Sequence, residues 1–196
     1  MKNTSSNSNI TSYEQAKSSG FIIDVLIKVI SRDLASKKYT DIIPLDGGTV
    51  GIAHFAVGGL ASLYPYMNTV KYFGKSNSEM VSTYSTNCKN DSCYNLTWWR
   101  NGFTNFLNSP ESKTVQNEAY INKVKGVVNY AISKGWSTRR QLAIAIGISN
   151  SVGETGFKNL ATNNNLNAEQ TLISYVGTNE HRIRRQEAIN KNYPLI

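Results

Sequence analysis

In "FIIDVLIKVISRDLASKKY" apolar residues recur at three- and four-residue intervals, and Ile22, Ile23, Val25, Leu26, Val29, Ile30 and Leu34 share one broad helical face. That spacing predicts a long helix over residues 12 to 37. The pattern then breaks. In "DIIPLDGGTVGIAHF" Pro44 excludes helix and Gly47-Gly48 offers positive-φ freedom, which predicts a short β-hairpin. "AVGGLASLYPYMN" reads as a helix start or turn, and residues 66 to 110 as shorter helices joined by Asn/Ser loops. "SKTVQNEAYINKVKGVVNYAISKGW" predicts one amphipathic helix ended by Gly135, after which Ser137 is expected to cap "TRRQLAIAIGISNSVG". The run Leu142 to Ile148 is almost wholly apolar and is the expected buried central helix. Asn167 with Gln170 suits a capping box for "AEQTLISYV", and "TNEHRIRRQEAINKN" predicts a last helix, acidic early and basic late. The fold class expected is therefore mainly α (α+β), with a small β-hairpin after the first long helix.

Length and composition narrow this picture. A chain of 196 residues can bury about 70 % of its unfolded surface. With 40 % hydrophobic and 17 % charged residues, disorder is expected only in the polar leader, residues 1–11, ahead of a single domain over 12–196. The leader lacks the apolar core of a secretory signal, and no run approaches the ~18 apolar residues of a membrane span. No membrane partner is expected. A net charge of +8 favours an acidic partner, but the bases are dispersed outside "HRIRRQ" and no nucleic-acid-reading motif accompanies them, so nucleic acid is not expected as that partner. Cys88 and Cys93 lie in "NCKNDSCYN", able to close a short disulfide in an oxidising compartment or to stay as thiols. With His54 and His181 the only histidines, the spacing fits no zinc pattern, and neither metal nor cofactor is expected.

The candidate chemistry gathers in "KYTDIIPLDGGTVGIAHF". A glycosidase commonly needs two carboxyl groups across a cleft, one to protonate the leaving oxygen and one to direct water or stabilise a positive sugar ring. Asp33 near the end of the first helix and Asp41 or Asp46 at the hairpin are the candidates, with the Thr49 hydroxyl holding a water. Each also has a plainer reading. Asp46-Gly47 is a common turn dipeptide, and Asp33 beside Arg32 and Lys37 suits a solvated helix face.

These residues resemble the active-site segment of phage-type lysozymes, where a glutamate ends the first helix and is followed by Tyr-x-Asp, glycine and turn residues, then Thr-[Ile/Val]-Gly-x-Gly-His. Tyr39, Asp41, Gly47, Gly48, Thr49, Val50, Gly51 and His54 keep that order, with Ala53 where a glycine is usual. The segment is also similar to that of bacterial chitosanases, Asp-Gly-x-Gly-x-Thr-x-Gly-Ile-x-x-Phe. Asp46, Gly47, Gly48, Thr49, Gly51, Ile52 and Phe55 match it after a two-residue deletion. "HRIRRQEAINKN" is similar to the Arg-Arg-x-Glu-Ala helix late in many phage endolysins. The chain departs from both active-site patterns at one place: no glutamate occurs between Glu14 and Glu79, and Asp33 is the carboxylate nearest the position concerned.

The resemblance implies a two-lobed, lysozyme-like helical fold and hydrolysis of a β-1,4-linked aminosugar polymer, peptidoglycan before chitosan. It implies Asp33 as acid, Asp46 as second carboxylate with Asp41 as the alternative, and Thr49 beside it. Substrate contacts are expected from Tyr39, His54, Trp98, Trp99 and Arg185. Trp98 and Trp99, like Tyr64 and Tyr66, suit either a sugar platform or the core. His54 suits a structural partner of the hairpin, and Arg184, Arg185 and Glu187 suit a surface or interlobe ion network. "GETGF" is expected to form a helix C-cap and turn, with Glu154 a displaced catalytic acid as the alternative. The implied setting is a monomer acting on the bacterial wall or periplasm, as a phage endolysin or a delivered toxin with an inhibitor or immunity protein as its counterpart. The competing reading is a lysozyme-like protein without catalysis that binds wall glycan or another protein.

Overall fold

The computed structural model describes residues 9–32, 38–44, 47–87, 93–162 and 166–195. The chain is mainly helical, with one two-stranded antiparallel sheet among the described residues. It divides into a first unit, residues 1–36 with 124–196, and a second, residues 37–123.

In the first unit Ile10 is buried and donates its N–H to Ser137 O at 2.7 Å. Ser12 Oγ then accepts from Gln15 N at 3.1 Å and caps α1, Tyr13–Ser18. The single long helix expected over 12–37 is corrected here. Gly20 takes a left-handed φ of 71° and ends the first run, and α2, Phe21–Val25, starts after it and passes into a π-helical turn, Leu26–Ile30. The apolar face survives the break. Phe21, Ile22, Val25, Leu26, Val29 and Ile30 are all fully buried.

The amphipathic helix expected to run as far as Gly135 is also two helices, α7 (Ser112–Lys123) and α8 (Lys125–Ser133), with Val124 at φ −91°, ψ 1° between them. Gly126 in the first turn of α8 carries the Glu154 carboxylate against its Cα, where a Cβ would lie 2.2 Å from Oε2. That carboxylate sits at the positive end of α8 and ion-pairs with Lys158.

The long helix α9, Arg139–Thr162, is capped by Thr138 rather than Ser137. Thr138 Oγ1 accepts from Gln141 N at 3.2 Å while Gln141 Oε1 accepts from the Ser137 and Thr138 amides, both at 3.0 Å. Leu142 to Ile146 and Ile148 are fully buried, as expected of the central helix. Gly153, at φ 73° and ψ 172°, breaks α9 where a C-cap was expected, and the helix resumes beyond it.

The expected capping box is present at α10, Ala168–Val176: Asn167 Oδ1 accepts from Gln170 N at 2.9 Å and Gln170 Oε1 accepts from Asn167 N at 3.1 Å. Asn167→Ala is expected to cost about 1 kcal/mol, read as a lowered urea midpoint at unchanged slope. The last helix α11, Glu180–Asn192, packs on α9 at Gly147, where a Cβ would meet Ile189 Cδ1 at 3.3 Å and Arg185 Cδ at 3.4 Å.

In the second unit β1, Ile42–Ile43, pairs with β2, Thr49–Val50, in the register Ile42↔Val50 and Ile43↔Thr49. Gly47 at φ 77° and Gly48 at φ 126° supply the positive φ values expected of the turn. The helices that follow are α3 (Val57–Leu63), α4 (Thr69–Phe73), α5 (Asn77–Asn87) and α6 (Thr97–Leu107), before α7 closes the unit. Its core is aromatic. Phe103 meets Trp99 at 4.6 Å, Phe73 at 4.9 Å and Tyr64 at 6.5 Å between ring centroids, and Gly102 lets Phe73 approach the α6 backbone. Cys93, buried beside this core, is disulfide-bonded, while the chain's other cysteine, Cys88, lies outside the described residues. Among the described residues no helix is long and apolar enough to cross a membrane.

Candidate functional site

The segment that carries the resemblance is held by α7. On that helix Ser112, Gln116, Tyr120 and Lys123 recur at helical spacing on the face turned inward, and Gln116 is fully buried. Its Oε1 accepts from Ile52 N at 3.1 Å, and its Nε2 donates to Tyr39 O and to Ser112 Oγ, both at 2.9 Å. One amide therefore ties the turn entering the hairpin to the turn leaving it. Gly51, at φ 69°, is what lets the amide in: a Cβ there would lie 2.0 Å from Gln116 Oε1. Gly51 N also donates to Asp41 O at 2.8 Å, and Val50 and Phe55 exchange backbone bonds across a tight reversal.

His54 lies in that reversal at φ 52°, a left-handed conformation that costs a side-chain-bearing residue about 1 kcal/mol or more. Its Nε2 is buried. Tyr39 donates its hydroxyl to Asn117 Oδ1 at 2.7 Å, and burial raises its pKa, so it is a neutral phenol anchoring the segment. Asp41 accepts from Lys38 N at 2.9 Å while its own N–H donates to Lys38 O at 3.2 Å, a self-contained turn. Thr49 is 2 % exposed within the ladder.

Two expected substrate contacts are corrected. Trp99 is 1 % exposed, edge-on to Phe103 and directly under Gly48, where a Cβ would lie 2.7 Å from Cη2; no ring face remains for a sugar. Arg185 is 1 % exposed inside the first unit, donating to Gly147 O at 2.7 Å, to Tyr175 Oη at 3.1 Å and to Ser151 Oγ. It braces α11 on α9 rather than forming a surface ion network. Trp98 keeps a partly exposed ring, edge-on to Phe73 at 6.2 Å with Lys75 Nζ 5.3 Å from its centroid, so of the two tryptophans it alone can offer a platform. Asp33 and Asp46, the proposed catalytic pair, lie outside the described residues. Gln116 and Asn117, which bond to the segment, are the residues the sequence reading missed. Their signal was the pair of polar residues Ser112 and Gln116, four apart on the inward face of an amphipathic helix.

Among the described residues no group of three or more His, Cys, Asp or Glu side chains is placed to hold a metal ion. Comparison of the chain with protein family models, with curated proteins and with solved structures returns no match, so the reading of this site rests on its own residues.

Proposed function

We propose that the chain is a glycoside hydrolase that cleaves a β-1,4-linked aminosugar polymer, peptidoglycan in the first place. The observation that carries the reading is the locked hairpin segment. Two bonds from the buried Gln116 amide hold Tyr39 and Ile52, the flanks of the stretch in which Asp46 and Thr49 fall by sequence. Fixed flanks of this kind suit a site that must stabilise charge developing on a sugar ring at low reorganisation cost. In the proposed step Asp33 gives its proton to the glycosidic oxygen as the C1–O bond breaks, and Asp46, steadied by Thr49, directs water to C1.

Purified peptidoglycan tests this through the release of reducing ends. Asp33→Asn and Asp46→Asn, made separately, are each expected to lower the rate about 100-fold or more. The absence of a glutamate between Glu14 and Glu79 favours the second reading, glycan binding without cleavage. A wild-type protein that sediments with the wall but releases no reducing ends establishes that reading and overturns the first.

A further inference from the structure

A pocket of about 540 Å³ opens in the second unit where the start of α4 meets the start of α5. It shares no residue with the hairpin segment or with the α7 face that holds that segment. Its volume falls in the range of small-ligand sites and has room for a sugar ring with its substituents. Met67 and Val70 give it an apolar wall, on which the Val70 side chain stays 63 % exposed.

The rest of the lining is polar and uncharged. Asn68 and Thr69 line the pocket on the α4 side, and Ser76, Asn77 and Ser78 on the α5 side. Asn68 Oδ1 accepts from Lys71 N at 3.0 Å, and Asn77 Oδ1 accepts from Thr69 Oγ1 at 2.7 Å. With the oxygen of each amide committed to the protein, the amino end is what each brings to a ligand, and it is a donor. The bond from buried Thr69 to Asn77 also joins the two walls, so the pocket is shaped before anything enters it. Charge at its edge disfavours an anion. Ser76 Oγ and Ser76 N both donate to Glu79 Oε2, at 2.6 and 2.7 Å, and these bonds lower the Glu79 pKa. The start of α5 is therefore already served by an ionised carboxylate of its own. Amide donors, hydroxyls and an apolar wall together suit a neutral group with a carbonyl oxygen beside a methyl, and an acetamido substituent presents both.

We propose that this pocket is an accessory glycan site that takes a 2-acetamido sugar, its carbonyl oxygen accepting from Asn77 Nδ2 and its methyl lying against Val70 and Met67. The proposal rests on the glycan reading above and adds a second place of contact, outside the residues proposed to cleave the polymer. A notch between two capped helix starts also arises from packing alone, and that plainer origin predicts no ligand.

The test titrates the full chain with three β-1,4 trisaccharides that differ only at C2: triacetylchitotriose with an acetamido group, chitotriose with an ammonium and cellotriose with a hydroxyl. Calorimetry measures the binding and amide NMR shifts locate it. Wild type is expected to prefer the acetamido form over the hydroxyl form by about tenfold, the combined scale of one hydrogen bond and one buried methyl. The shifts should centre on residues 67–70 and 76–78. Asn77→Asp keeps an oxygen for Thr69 and removes the amino donor, so the preference should fall nearly to one. Val70→Ser, at an exposed position that folding tolerates, should cost severalfold on the acetamido ligand and leave cellotriose unchanged. Shifts centred elsewhere, a wild type without preference, tightest binding of the ammonium form, no binding at all, or full preference in either variant with native circular dichroism each overturn the proposal. Wall hydrolysis alongside any of these leaves the enzyme reading standing. Acetamido binding at the pocket by a chain that releases no reducing ends does the reverse.

Discussion

Gln116→Leu is expected to lose about 2–4 kcal/mol, because three partners, the buried Ile52 amide and Ser112 hydroxyl and the part-buried Tyr39 carbonyl, forfeit their bonds together. Leucine fills most of the volume, so the loss comes from stranded polar groups rather than from a cavity. In thermal unfolding this is a shift of about 10 °C for a chain of this size. An exposed neighbour on the same helix, Glu118→Gln, should move it by less than about 0.5 kcal/mol and serves as the control. Amide exchange at Ile52 and Gly51 should quicken more than exchange in the α6 core, since the amide secures the hairpin segment specifically. The pairing with Gly51 gives a sharper check. Gly51→Ala alone forces a methyl to 2.0 Å from Gln116 Oε1 at a φ of 69°, but combined with Gln116→Ala most of the steric cost should vanish. Strictly additive losses from the two substitutions would show that the amide and the glycine do not meet. Activity on peptidoglycan, if it resides in this segment, should fall with the exchange protection.

Arg140→Ala is expected to cost the first unit about 2–4 kcal/mol. Arg140 grips Glu169 with two bonds, Nε to Oε1 at 2.6 Å and Nη2 to Oε2 at 2.7 Å, and with the rest of its fork reaches Tyr193 O at 2.7 Å and Asn190 Oδ1 at 2.9 Å. Its side chain is 11 % exposed, so the pair is worth more than a surface contact. The fork fastens α9, α10 and the end of α11 to one another. Tyr193 then closes on α2, its ring edge-on to Phe21 at 5.8 Å and its hydroxyl donating to Asp24 Oδ2 at 2.7 Å. Proteolysis near the C-terminus should accelerate in the variant before global unfolding does. Arg140→Lys should recover little, because an ammonium on a flexible stem cannot serve the carboxylate and the Tyr193 carbonyl at once. Full recovery by lysine would reduce the strut to simple charge pairing.

The helices announced by their own caps and periodicity were legible because those signals are local. The first helix marks the limit: its apolar periodicity continues past Gly20, where the helix breaks. Glycine in a helical pattern is tolerated about as often as it terminates one, and packing decides between the two. The break at Val124 had only a weak signal, a β-branched residue with Gly126 two positions beyond it.

The sequence by itself determined the mainly helical class, the hairpin around Gly47-Gly48, the buried central helix at Leu142 to Ile148 and the capping box at Asn167 and Gln170, because each follows from contacts within a few residues of chain. Tertiary structure alone decided that Gln116 reaches Ile52 across 64 positions, that Trp99 is core while Trp98 keeps an exposed face, and that Arg185 is an internal brace. A side chain's identity states what it can bond. Which backbone groups arrive beside it is settled only when distant segments pack and leave no water to serve them instead.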